Sequence, residues 1–231
     1  MCGRLNVIDD YGVQQLCRQL RIPLGIPESL SRRFVRATEP VAIVTEREGQ
    51  RQLETATWWL LLEPTETGFK PSKYTSFNTR YDKLNVPRSA GFQAFRQSRC
   101  IIPAKGFGES EFKNKKPLHY HDFQADEGEA IAFGGLYRDW VHRGTGEVRT
   151  SCSIITLPPH PKLTPYHSKS MPLILPQTET ILDAWLSKEN TDVNWLSSLL
   201  QPHLPQALWA QQIDKPSHYQ PIADPLLLAA D

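Results

Sequence analysis

Cysteine is scarce in this 231-residue chain: there are four, Cys2, Cys17, Cys100 and Cys152, with no CxxC pair and no other metal-ligand spacing. That scarcity argues against a zinc site and, in a reducing compartment, against disulfides, so no metal is expected. Long apolar runs are also missing. Nowhere do about 18 apolar residues follow one another, which argues against a membrane-spanning helix. The first twenty residues hold Arg4, Asp9, Asp10 and Arg18 where a secretory leader would be apolar, so the expectation is a cytoplasmic protein. No repeat, low-complexity tract or domain boundary interrupts the chain, and one domain over residues 1–231 is expected.

A large net charge is absent too, since 26 Lys and Arg meet 25 Asp and Glu for a formal +1. The sum hides an uneven distribution. Residues 66–116 carry eleven Lys/Arg against four acids, a net +7, and residues 177–231 carry seven acids against two lysines, a net −5. One cationic and one acidic face follow if the fold keeps these segments apart, and the cationic one would attract phosphates.

The pattern that is present is α+β. Val13, Leu16, Cys17 and Leu20 fall on one helical face after Asp9 and Asp10, Phe92 and Phe95 mark a short helix, and apolar stripes recur at Ile181–Leu186 and Val193–Leu200. Between them lie strand-like runs at 41–45, 53–62, 118–123, 131–137 and 149–157, with HRGTG suited to a hairpin. The expected fold is a curved, mainly antiparallel sheet or open barrel flanked by helices.

Four short segments carry chemistry. Removal of Met1 would leave Cys2-Gly3-Arg4 as the start, with an amine and a thiol on adjacent carbons. Their reference pKa values, roughly 7.7–8.0 and about 8.5, leave part of each nucleophilic near neutral pH. Such a 1,2-aminothiol condenses with an aldehyde to an imine and then closes a five-membered thiazolidine. SFNTRYD at 76–82 alternates so that Asn78 and Arg80 share a strand face. RCIIPAKGFGES at 99–110 runs from a strand into a glycine-flanked turn ending at Glu109, a carboxylate beside apolar groups, where a raised pKa suits proton transfer. PYHSKSMPLIL at 165–175 sets His167 ahead of a strand.

In this order the four segments resemble the SOS response-associated peptidase (SRAP) family, which shields abasic sites in single-stranded DNA. The resemblance covers roughly residues 1–175, with departures at Val35, Trp59 and Ser110. It implies a thiazolidine crosslink between Cys2 and the opened deoxyribose, with Asn78 holding the N-terminal residue and sugar, Arg80 on a flanking phosphate, Glu109 moving protons and His167 assisting ring opening. Arg4 is the family's DNA contact, and Lys105 and Lys169 complete the expected DNA-binding set. Phe77, Tyr81, Phe107 and Trp58 are candidate stacking platforms. The implied partner is single-stranded DNA containing abasic sites, bound by a monomer without cofactor, metal or membrane, in the bacterial cytosol or at the nucleoid. Two other readings stay open: an N-terminal-Cys hydrolase, either an autopeptidase or amidotransferase-like, and a noncovalent single-stranded DNA-binding module.

Overall fold

The computed structural model describes residues 3–231. The chain enters through β1 (Arg4–Val7), α1 (Tyr11–Gln19), β2 (Arg32–Arg36), β3 (Pro40–Arg47) and β4 (Gln50–Thr57). A small hairpin of β5 (Leu62–Pro64) and β6 (Phe69–Pro71) precedes β7 (Asn78–Arg80) and α2 (Phe92–Gln97). The longest strands follow: β8 (Arg99–Ala104), β9 (Gly106–Lys113), β10 (Lys116–Ala125), β11 (Ile131–Val141) and β12 (Val148–Leu157). The chain closes with β13 (Met171–Pro172), α3 (Glu179–Leu186), α4 (Val193–Ser198), β14 (Leu208–Ile213) and β15 (Leu226–Leu228).

Besides the β5–β6 hairpin, two sheets form from these strands. One runs β11-β8-β3-β4-β12, and the antiparallel β11–β12 hairpin joins its ends, so the expected curved sheet closes into a five-stranded barrel. Closure leaves these five strands with no free edge on the ring, and β8 and the centre of β3 are wholly buried. The short β7 lies parallel to β12, pairing Asn78 with Ile154 and Arg80 with Thr156. The second sheet is antiparallel, in the order β15-β14-β10-β9-β1-β2.

The chain passes from barrel to second sheet at Lys105, between β8 and β9. There Phe107 stacks on Phe123 at 4.9 Å between centroids and meets the edge of Phe133 from the barrel at 5.7 Å, so three rings weld the layers. The four helices lie outside. Asp10 caps α1 through the Val13 N–H, and Trp185 of α3 donates from Nε1 to the Cys100 carbonyl at 2.9 Å.

Three sequence expectations need correction. The apolar run 53–62 is not one strand: β4 stops at Thr57, and Trp58 and Leu60 are buried in the connection that follows. Glu109 does not end a turn but sits within β9. Gly106 suggests a turn by composition, yet it is needed in a strand, where a Cβ would lie 2.2 Å from the Phe123 carbonyl oxygen. Finally, the +7 segment is not all surface, because Arg99 is 2% exposed and donates to the carbonyls of Trp185, Phe95, Arg96, Ser187 and Asn190.

Candidate functional site

β1 and β9 lie side by side with Arg4 opposite Gly108 and Leu5 opposite Phe107. Residues paired this way point to the same face, so Arg4 crosses over Gly108. A Cβ at Gly108 would come within 2.7 Å of the Arg4 guanidinium carbon, so any other residue there would displace the guanidinium. Arg4 is 8% exposed, donates from Nη2 to the Glu109 carbonyl at 3.1 Å and lies 5.6 Å from the Phe34 ring centre.

The period of two in β9 sends Glu109 and Glu111 to the other face together. Between them stands His167, from the loop before β13. Its Nε2 is 3.7 Å from Glu109 Oε2 and its Nδ1 is 3.4 Å from Glu111 Oε2. Glu111 also accepts from the backbone N–H and hydroxyl of Ser168, at 3.0 and 2.8 Å. The neighbouring strand adds two more imidazoles: His121 lies opposite Glu109 and His119 opposite Glu111, with 3.1 Å between the two Nδ1 atoms.

Burial sets the protonation of this cluster. Glu109 is 3% exposed, and loss of hydration pushes its carboxyl up to about 7, with Arg4 opposing and Glu111 adding to the rise. Burial lowers His167 to about 4, against the pull of Glu111 and a hydrogen bond to the Ser110 carbonyl. His121 falls to about 4, first through burial and then through His119. At neutral pH Glu109 is therefore near half-ionised beside a neutral imidazole, which can accept or give a proton.

A cavity of about 300 Å³ opens against this cluster, lined by Gly3, Arg4, Phe112, His167, Lys169 and Pro216. A second, of about 370 Å³, is lined by Arg80, Tyr81, Pro159, Lys169 and Ser170. Lys169 borders both, so it links the cavity lined by Arg4 to the one lined by Arg80. Arg80 is shared with Asp82, which takes two hydrogen bonds from it at 3.0 and 2.8 Å.

The structure thus gathers Arg4, His167 and Lys169 around one cavity, with Glu109 buried behind His167, and puts Arg80 in the next. Asn78 is half-buried on the same short strand as Arg80, held by β12. Lys105 lies elsewhere: its ammonium donates to the Asp126 and Glu129 carbonyls at 2.7 and 3.0 Å, pairs with Asp10 and lines a separate cavity of about 830 Å³. Cys2 falls outside the described residues. Cys17, Cys100 and Cys152 are buried free thiols, and burial raises the pKa of each. Trp58 and Phe107 are fully buried, which removes both as stacking platforms, while Tyr81 is partly exposed. Trp58 donates to the Phe77 carbonyl at 2.9 Å and, with Trp59, packs on the Phe77 ring, so these aromatics fix the residue just before Asn78.

Glu111, His119 and His121 escaped the sequence reading. Their signal is present as Glu-x-Glu and His-x-His on two strand-like segments, and only the pairing of β9 with β10 makes it one cluster. Among the described residues no group of three or more His, Cys, Asp or Glu is arranged to hold a metal ion, and no helix is long and apolar enough to cross a membrane.

Residues 1–216 match the family described as SOS response associated peptidase (SRAP). Among curated relatives, abasic site processing protein YoqW of Bacillus subtilis is 28% identical over 218 residues, and YobE of the same organism is 27% identical over 214. Those matches cover 92% of this chain and 92% and 94% of the relatives. Two crystal structures share the fold. A Bacteroides thetaiotaomicron protein has TM-score 0.69 at 21% identity, covering 93% of both chains, and a Bordetella bronchiseptica protein has 0.66 at 20%, covering 100% of both.

Proposed function

The chain belongs to the SOS response associated peptidase family, and we propose that it binds abasic sites in single-stranded DNA and joins them covalently through Cys2, shielding the lesion. The observation that carries this reading is that Gly3, the residue next to Cys2, lines the same cavity as His167, with the half-ionised Glu109 against that imidazole. The curated relatives named above are abasic site processing proteins, which supports DNA with such lesions as the partner.

The chemistry runs in three steps. An abasic deoxyribose is mostly a closed hemiacetal, and opening it takes a proton from the C1′ hydroxyl and returns one to the ring oxygen. His167, neutral at pH 7, is the base suited to the first transfer. The Cys2 amine then attacks C1′, its C–N bond forms, and the carbonyl oxygen leaves as water after gaining two protons. In the last step the thiolate attacks C1′ and the C=N electron pair returns to nitrogen. The balance is aldehyde plus aminothiol to thiazolidine plus water. Glu109, with a pKa of about 7, can serve as acid in the dehydration and as base toward the amine and thiol. Arg4, Lys169 and Arg80 supply positive charge for the DNA backbone, and Asn78 positions the N-terminal residue and sugar. With no base at the lesion to read, sequence-specific recognition is not part of the function.

The test is incubation of the protein with single-stranded DNA carrying one abasic site, followed by a denaturing gel and intact-mass measurement without reductant. The wild type should give a heat-stable adduct whose mass is the sum of the components less one water, and Cys2→Ala should give none. DNA binding without an adduct would reassign the protein as a noncovalent module. An adduct formed equally by Cys2→Ala would remove Cys2 from the mechanism.

A further inference from the structure

His167 stands between two carboxylates of one strand, and they treat it differently. Both contacts are electrostatic rather than hydrogen bonds, Glu109 at 3.7 Å from Nε2 and Glu111 closer, at 3.4 Å from Nδ1. Glu111 is also the anchored one. Both of its oxygens accept from Ser168, the residue following the imidazole, so strand and loop are tied together at the point where the ring is held. Burial raises the Glu111 pKa, but the two Ser168 bonds and the fields of His167 and Lys169 outweigh it and hold it low, keeping the group ionised at neutral pH.

We propose that Glu111 is a positioning residue for His167: the field of its carboxylate, 3.4 Å from Nδ1, favours the ring proton on that nitrogen and so leaves the lone pair on Nε2, the nitrogen on the Glu109 side. A neutral imidazole has one N–H and one lone pair, and the partner of one nitrogen decides which face is basic. Without an anion at Nδ1 the ring can hold its proton on either nitrogen, and the fraction able to accept a proton at Nε2 falls. The same logic makes the orienting carboxylate of a catalytic triad matter without its touching substrate. The groups facing His167 are Glu109, Glu111 and the Ser110 carbonyl from β9, the last accepting a hydrogen bond from the ring, and Lys169 from its own loop, with Arg4 of β1 beside Glu109 and with His119 and His121 of β10 paired against the two glutamates.

This inference rests on the role given to His167 above, so its test has one arm that does not depend on crosslinking. In uniformly 15N-labelled protein, long-range 1H–15N correlation spectra report the His167 tautomer directly, for wild type, Glu111→Gln and Glu111→Ala. The wild type should show Nδ1–H, and both variants should lose that preference. Single-turnover crosslinking to abasic single-stranded DNA, followed across pH, should slow by about 10- to 100-fold in both variants. Affinity for an oligonucleotide carrying tetrahydrofuran, which has no aldehyde, should be unchanged. An Nε2–H ring in the wild type overturns the proposal. So does a Glu111→Gln variant that crosslinks at the wild-type rate, since Gln keeps an acceptor for Ser168 and would reveal a purely structural tie. If the wild type forms no adduct, the proposed function fails, and the spectra still decide whether Glu111 sets the tautomer.

Discussion

Replacing Glu109 with Gln should slow crosslinking and stabilise the protein at the same time, for one physical reason. The carboxyl is 3% exposed, and burial lifts it from its ordinary 4.5 to about 7. In the unfolded chain it ionises near 4.5, so between that pH and 7 the folded state keeps a proton that the unfolded state has released. Stability therefore falls as pH rises through this window, and above 7 the full cost of burying the ionised group is present. Lifting the pKa by that amount corresponds to about 3 kcal/mol. Gln carries no such cost. Denaturant unfolding of the two proteins should thus differ little near pH 4.5, and the variant should gain steadily toward pH 8, by up to about 3 kcal/mol. Crosslinking should move the other way, because removing a general acid–base group costs about 10²- to 10⁴-fold, or about 3 to 5 kcal/mol of barrier. The wild-type rate should show an inflection near pH 7 that the variant lacks, with DNA affinity retained. A stability difference independent of pH, together with unchanged rate profiles, would refute the assignment of Glu109 as a buried acid–base group.

Two further substitutions test the binding geometry. Gly108→Ala puts a Cβ where the Arg4 guanidinium lies; a flexible side-chain end can move at little cost in thermal stability, so the variant should fold normally but bind abasic single-stranded DNA more weakly. Lys169→Ala should reduce the slope of log affinity against log salt by about 0.7, the value for neutralising one phosphate fewer on a single strand. Fluorescence anisotropy of labelled oligonucleotides over a salt series reads both effects, and an unchanged slope would take Lys169 off the DNA path.

Much of the fold was legible because hydrophobic period survives folding. The helical faces of α1 and α3, the strand at 118–123 within β10 and the HRGTG hairpin are local patterns, and they hold in the structure. The failures share a cause. Trp58 and Leu60 extend an apolar run past the end of β4 because a buried connection needs the same side chains as a buried strand. Gly106 and Gly108 read as a turn because the atoms that demand glycine there, the Phe123 carbonyl and the Arg4 guanidinium, come from other strands. Arg99 and Lys105 count as cationic surface until their carbonyl partners are known.

The sequence alone determined the α+β class and the order of segments that marks the family, and it supplied Cys2 as the proposed nucleophile. Those are properties of covalent order and local periodicity. Tertiary structure decided which groups stand together. Glu109 gains a pKa of about 7 from burial beside residues remote in sequence, His167 is bracketed by two carboxylates because β9 presents both to one face, and Lys169 rather than Lys105 joins Arg4 and Arg80. Hydration, field and distance are set by what packs around a side chain, and no local pattern encodes them.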